Sequence, residues 1–190
     1  MRQDRQKWDR RYERHSGDFD PPDSFLVGQS HRFDRGIALD LACGTGRNAL
    51  FLAESGYTVD AIDISIHALR ILQAEARSRA LPVRCIAADL DIFPLPRERY
   101  DLVVVFNFFD PRLFPRLRDS MRPGGLVVYS TFNTRHFSVR PEFNPAYLVE
   151  AEHLTDFFAD FDILVSEPEA GEFGDVSRLV AKKPGLDASA

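Results

Sequence analysis

Residues 44–49 read Gly-Thr-Gly-Arg-Asn-Ala, between one apolar run and the start of an amphipathic one. The stretch satisfies G-x-G-x-x-A. Such a turn lets the backbone approach a ligand closely, and the helix behind it presents unpaired N–H groups to an anion. A carboxylate, Asp63, closes the next strand about 20 residues on, the spacing of an acid that accepts hydrogen bonds from two vicinal ribose hydroxyls. The pattern points to a ribose-bearing cofactor. Asp40 narrows it, because it stands just before the glycines, where a dinucleotide would need room for its pyrophosphate. Like charges repel there, whereas an ammonium or a sulfonium is attracted. S-adenosylmethionine carries both cations, and one carboxylate for the helix N-terminus.

The elements that must hold these residues alternate between strand and helix. Apolar or β-branched runs at Ile37–Leu41, Tyr57–Ile62, Val83–Ala87, Tyr100–Phe106 and Gly125–Thr131 read as strands. Between them lie helical patterns at Arg47–Ser55, stopped by Gly56, and at Ile66–Ala80, capped by Ser65. A third runs from Asp110-Pro111 to about Met121. Glu150–Ala159 is predicted helical, with Leu154, Phe157 and Phe158 inward. Asp162–Glu167 and Val176–Lys182 have no helical pattern between them, so they are expected to pair antiparallel. The sum is an α/β chain: a doubly wound, Rossmann-like seven-stranded sheet with its last strand antiparallel, binding ligands beyond the carboxyl ends of the strands. Upstream, Trp8 and Tyr12 share one face of a helix expected at about 3–15, and a second short helix is expected around Ser24–His31. The domain reading is an N-terminal helical lid at 1–35, a catalytic domain at 36–183 and a frayed tail at 184–190.

Composition bounds the class. The chain has 190 residues, 44% of them hydrophobic, and 24 Lys+Arg against 29 Asp+Glu give a net charge of −5. One domain's worth of chain is expected. The acidic balance weighs against nucleic acid as a partner, which calls for a basic face. Two cysteines, Cys43 and Cys85, argue against a disulfide scaffold, and five scattered histidines form no metal-ligand pair. No signal-peptide core and no span of about 18 apolar residues is present, so a cytoplasmic location is expected, with no membrane partner. Oligomeric state is not legible.

The segment 38–65, ALDLACGTGRNALFLAESGYTVDAIDIS, resembles the first motif and second strand of class I S-adenosylmethionine-dependent methyltransferases. That family reads acid-x-G-x-G-x-G, and Ala42 stands at its first glycine. The resemblance continues at Ala88-Asp89-Leu90, at Tyr100–Asn107 and at Arg122–Leu126. Arg47-Asn48 after the glycines, and KWDRRYERH near the N-terminus, resemble the tellurite-resistance and thiopurine-type small-molecule methyltransferases. Segments Asn133–Tyr147 and Gly171–Arg178 depart from that group. The resemblance implies S-adenosylmethionine as cofactor, with Gly44 and Gly46 on its methionine portion, Asp63 on the ribose and Asp89 on the adenine amine. Ile64 would lie on the adenine face, the Leu90 backbone on a ring nitrogen, and Tyr12 would approach from the leading helix. Asn107 would sit where sulfonium and acceptor meet. Asp40 is either a ligand acid or a cap on the loop.

For the acceptor, the residues in view are Arg47, Phe108, Arg135, His136 and Tyr147. Arg47 sits in a first helical turn, where a cation needs a partner. His136 lies on the loop beyond the fifth strand, where a lone histidine is ordinarily a surface residue. No catalytic residue stands out as a general base, which favours a soft or already ionised acceptor. Two other readings share parts of the pattern. A nicotinamide-dependent oxidoreductase has the glycines and the Asp63 spacing, but Asp40 opposes it and no Tyr-x-x-x-Lys is present. A cofactor-binding module without turnover would keep the same fold.

Overall fold

The structure, a computed structural model, describes residues 2–13 and 20–185. It has the doubly wound α/β fold with seven strands, and the last of them is antiparallel to its neighbours. Its residues gather into two compact units, Met1–Pro94 and Leu95–Ala190.

In the first unit, α1 (Arg2–Tyr12) and α2 (Ser24–Gly28) precede β1 (Ile37–Leu41), α3 (Arg47–Glu54), β2 (Thr58–Asp63), α4 (Ile66–Ser78) and β3 (Val83–Ala87). The three strands are parallel in the order β3-β2-β1, with Asp40 opposite Ala61 and Asp63 opposite Ala87. Ala38, Leu39, Leu41, Val59, Ala61 and Ile62 are wholly buried, as expected of strands covered on both faces. The Ser65 hydroxyl accepts from the Ala68 N–H and caps α4. The helix expected at 3–15 is present through Tyr12; residues 14–19 lie outside the described residues, as does the tail from 186. The stretch Ser24–His31 divides into α2 and a 3-10 turn, Ser30–Arg32.

In the second unit, β4 (Tyr100–Phe106) runs parallel to β5 (Met121–Phe132), and β7 (Val176–Lys182) pairs antiparallel with both β5 and β6 (Asp162–Ala170). The order is β4-β5-β7-β6, so the expected antiparallel hairpin is inserted with its second strand inward. Between β4 and β5, Asp110 caps a 3-10 turn at Pro111–Leu113, which passes into α5 (Phe114–Ser120). A short α6 (His136–Val139) follows β5.

One predicted element differs. Glu150–Ala159 is no α-helix; it is a series of turns ending in the 3-10 segment Thr155–Phe158. A ten-residue window is marginal for a helix, and Thr155 and Asp156 are poor formers. Tertiary packing decides instead: Phe157 stacks on Phe114 at 4.1 Å between ring centroids, and Phe158 meets Phe114 edge-on at 5.4 Å. The inward residues were legible, and the helix was not needed to place them.

Candidate functional site

In the first unit the site is built around the turn between β1 and α3. Three successive even-numbered residues there adopt left-handed backbone: Ala42 (φ 58°), Gly44 (φ 55°) and Gly46 (φ 84°). Ala42 holds the conformation its missing glycine would have favoured, at a cost of about 1 kcal/mol. Gly46 is also sterically required, since a Cβ there would run into the buried side chain of Leu72.

Gly46 is the N-cap of α3 and has no side chain to satisfy the first helical turn. Asp40 takes that role: its carboxyl accepts from the Ala49 N–H. Asp40 is only 2% exposed, and its Oδ2 has no hydrogen-bond partner. Cap and ligand acid are therefore compatible, one oxygen for each. Burial pushes the Asp40 carboxyl up to about 8, reinforced by the charge of Asp63 and partly offset by the Ala49 N–H and Arg47.

Asp63 pins the turn from the second strand. Its Oδ2 accepts from the Gly44 N–H at 2.8 Å and its Oδ1 from the Ser65 N–H at 2.8 Å. Burial raises its pKa despite these bonds. The Ile64 N–H is a third backbone donor to this carboxylate, and of its roughly four acceptor positions one remains for a ribose hydroxyl. The Asp63 carbonyl accepts from the Ala88 N–H at 3.0 Å, which brings half-buried Asp89 and Leu90 to the end of β3, alongside the end of β2 that carries Asp63 and Ile64. Asp89 Oδ1 accepts from the Asp91 N–H at 3.0 Å.

Tyr12 arrives on α1. Its hydroxyl lies 2.7 Å from where a Gly44 Cβ would stand, so the ring packs against a bare backbone there. Burial, then the charge of Asp63, raise the phenol's pKa, and it stays protonated. Sequence reasoning missed what anchors this helix. Asp9 Oδ1 accepts from the Ser65 hydroxyl at 2.5 Å and the His67 N–H at 3.2 Å, so α1 adds an acid to the N-terminus of α4. The signal was present in retrospect, because Asp9 sits between Trp8 and Tyr12 on the docking turn. Cys43, beside the same loop, is pushed far up by burial and by Asp40 and Asp63, so it is no thiolate nucleophile. Arg47 has the partner its position required: its guanidinium meets Asp23 Oδ2 at 3.1 Å.

In the second unit, Asn107 ends β4 in left-handed backbone (φ 55°), its N–H donating to the Ser130 carbonyl of β5 at 2.8 Å. Half-buried Phe108 accepts on its carbonyl from the Tyr129 hydroxyl at 2.8 Å, while Phe109 enters the core. Tyr147 is 36% exposed on a 3-10 turn, and Arg135 pairs with Glu169 of β6. His136 corrects the expectation of a surface residue. It is 5% exposed, stacked on Phe132 at 4.1 Å and edge-on to Phe143 at 4.9 Å, with Nδ1 2.6 Å from Asp175 Oδ2. Asp175 comes from the β6–β7 turn, and no spacing in the sequence pairs it with His136.

Comparison with known proteins accords with this geometry. Residues 38–125 match the family described as methyltransferase domain. The chain is 33% identical over 141 residues to hemagglutinin 1 of Eikenella corrodens, covering 70% of the chain and 46% of that protein. It is 24% identical over 142 residues to the "Probable S-adenosyl-L-methionine-dependent methyltransferase TehB" of Haemophilus influenzae, covering 70% of the chain and 49% of the relative. The chain thus spans about half the length of the curated relatives it matches. A solved structure described under conversion of a disulfide bond into a thioacetal group during echinomycin biosynthesis superimposes with a TM-score of 0.76 at 21% identity, over 97% of this chain and 94% of that one.

Fold and glycine turn together define a Rossmann-like methyltransferase domain. Residues 38–125 match the methyltransferase domain family, and the chain is similar over 142 residues to TehB, a relative named as an S-adenosylmethionine-dependent enzyme of that class. The cofactor of that class is S-adenosylmethionine, and the residues present fit it. Asp40 offers an orphaned buried acceptor to a cation, Gly44 and Gly46 leave the backbone bare, and Asp63 keeps acceptor capacity for a ribose.

Proposed function

We propose that the chain transfers a methyl group from S-adenosylmethionine to a small-molecule acceptor. The orphaned Asp40 Oδ2 carries the reading. A buried acid with an unused oxygen, next to a second buried acid, is costly unless a cation reaches it. Pyrophosphate would make that electrostatics worse, so the nicotinamide reading has no support here. The bound cofactor supplies a methyl group already activated on a sulfonium, and the protein supplies alignment and exclusion of water.

In this reading Asp40 takes the ammonium, the Gly44–Gly46 turn admits the methionine portion, and Asp63 binds the ribose. Asp89 and the Leu90 N–H read the adenine, Ile64 covers its face, and the segment 1–35 with Tyr12 is a lid. Asn107, Phe108, Arg135 and Tyr147 belong to the acceptor side. The net charge of −5 supports a small acceptor over a nucleic acid. A cytoplasmic setting agrees with the absence, among the described residues, of any helix long and apolar enough to cross a membrane.

Thermal denaturation tests the cofactor. S-adenosylmethionine or S-adenosylhomocysteine at 100-fold over its dissociation constant should add about 2.7 kcal/mol. For a chain of this size that is a rise in Tm of roughly 5–10 °C. NAD should add nothing, and Asp63→Ala should abolish most of the rise. Transfer of an isotopic methyl group into a metabolite extract tests turnover. Binding without transfer would leave a cofactor-binding module.

A further inference from the structure

The sequence shows no general base, and the fold brings His136 onto Asp175. We propose that the His136–Asp175 pair is the base that takes a proton from the acceptor, so that the acceptor class includes neutral, protic groups such as a hydroxyl. This rests on the transferase reading above.

His136 follows the carboxyl end of β5, and Asn107 follows that of β4, at adjacent parallel strands whose carboxyl ends are where doubly wound sheets place their ligands. The Asp175 carboxylate can only accept, so Nδ1 carries a proton, and in the neutral ring the lone pair is on Nε2. Nε2 has no hydrogen-bond partner among the described residues, and it is not among the fully buried unpartnered atoms. It therefore keeps some access to solvent. Phe132 on one face and Phe143 at the edge fix the ring plane.

The pair is not needed to hold its own loop, because Asn133 does that. Its side-chain N–H groups donate to the carbonyls of Pro168 and Gly174, both at 3.0 Å, and its Oδ1 accepts from the Arg135 N–H at 2.9 Å. Its backbone N–H reaches the Asp175 carbonyl at 2.9 Å. Two neighbouring charged groups are engaged elsewhere: Arg135 with Glu169, and Glu150 with the Thr134 hydroxyl.

The step balances. An acceptor lone pair forms the bond to the methyl carbon as the carbon–sulfur bond breaks, leaving a neutral thioether. The acceptor proton passes to His136 Nε2, and Asp175 stabilises the resulting imidazolium. An acceptor that is already an anion needs no such help.

Two acceptors of the same shape separate the cases: a substituted phenol, protonated at pH 7, and the matching thiophenol, ionised there. His136→Gln should lower kcat for the phenol by roughly 10²–10⁴-fold. It should leave the thiophenol within about threefold, a size well below that expected of a lost base, and leave cofactor affinity by calorimetry unchanged. Asp175→Asn should move the phenol rate in the same direction. Equal losses with both acceptors, or no loss with the phenol, overturn the proposal. A wild-type protein that binds S-adenosylmethionine yet methylates neither compound overturns the transferase reading and the base with it. In ¹⁵N-labelled protein without cofactor, the neutral His136 ring should carry its proton on Nδ1, hydrogen-bonded to Asp175. The opposite tautomer also overturns the assignment.

Discussion

Asp40 holds two duties that pull against each other, and the conflict is measurable. In the ligand-free fold it keeps its proton up to about pH 8, whereas in the unfolded chain it loses it near the ordinary carboxylate value. The folded state therefore binds more protons between those limits. Stability falls as pH rises from about 4 to 8 by this group's contribution. Asp40→Asn removes the penalty. The ligand-free variant should be more stable at pH 7.5 by about 1–3 kcal/mol in chemical denaturation, while its affinity for S-adenosylmethionine drops. In the wild type, the arriving cation should expel the Asp40 proton. Calorimetry in buffers of different ionisation enthalpy should record proton release on binding, and affinity should rise with pH up to about 8. A stability profile flat across that interval would remove the buried proton from the account.

At the scale of elements, the contact that matters most is α1 on α4. Asp9 supplies a second acceptor to the first turn of α4 beside the Ser65 cap, and Tyr12 covers the Gly44 turn one helical turn further on. Burial pushes the Asp9 carboxyl up. The Ser65 hydroxyl, the His67 N–H and Arg5 outweigh it, and the net pKa lies below the usual value. The contribution of Asp9 is therefore fully present above about pH 4 and lost as pH falls below it. Asp9→Ala should cost about 1 kcal/mol, the usual size of a lost helix cap. Hydrogen exchange should show faster opening confined to residues 2–12, with weaker cofactor binding as a consequence. Unchanged exchange in α1 would mean that Trp8 and Tyr12 hold the helix unaided.

At the scale of the molecule, charge decides what surface chemistry is open to it. The chain carries −5, and basic residues are offset by neighbours: Arg118 of α5 with Asp160, Arg122 at the start of β5 with Asp101, and Arg112 of the preceding 3-10 turn with Asp110. A nucleic-acid substrate would demand a basic face and a steep salt dependence. Retention on immobilised duplex DNA in low salt should be negligible, and Arg122→Glu should leave it so. Tight retention that weakens steeply between 50 and 200 mM salt would return a nucleic-acid acceptor to consideration.

What the sequence by itself determined is what depends on short-range rules. Asp40, Gly44, Gly46 and Asp63 were legible because glycine geometry, helix termini and strand spacing act within about 20 residues. The seven strands and the antiparallel final pair followed from periodicity and from the missing helix between the last two, whereas the strand order came only with the fold. Only the tertiary structure decided the partners of Asp9, Arg47 and His136, since those contacts join residues that no local rule links. It also made Glu150–Ala159 a series of turns ending in the 3-10 segment Thr155–Phe158, because aromatic packing on Phe114 outweighs a marginal helical preference. The orphaned oxygen of Asp40 belongs to the same class of fact. A carboxylate's identity is written in the chain, but whether water reaches it is settled only when the core closes around it.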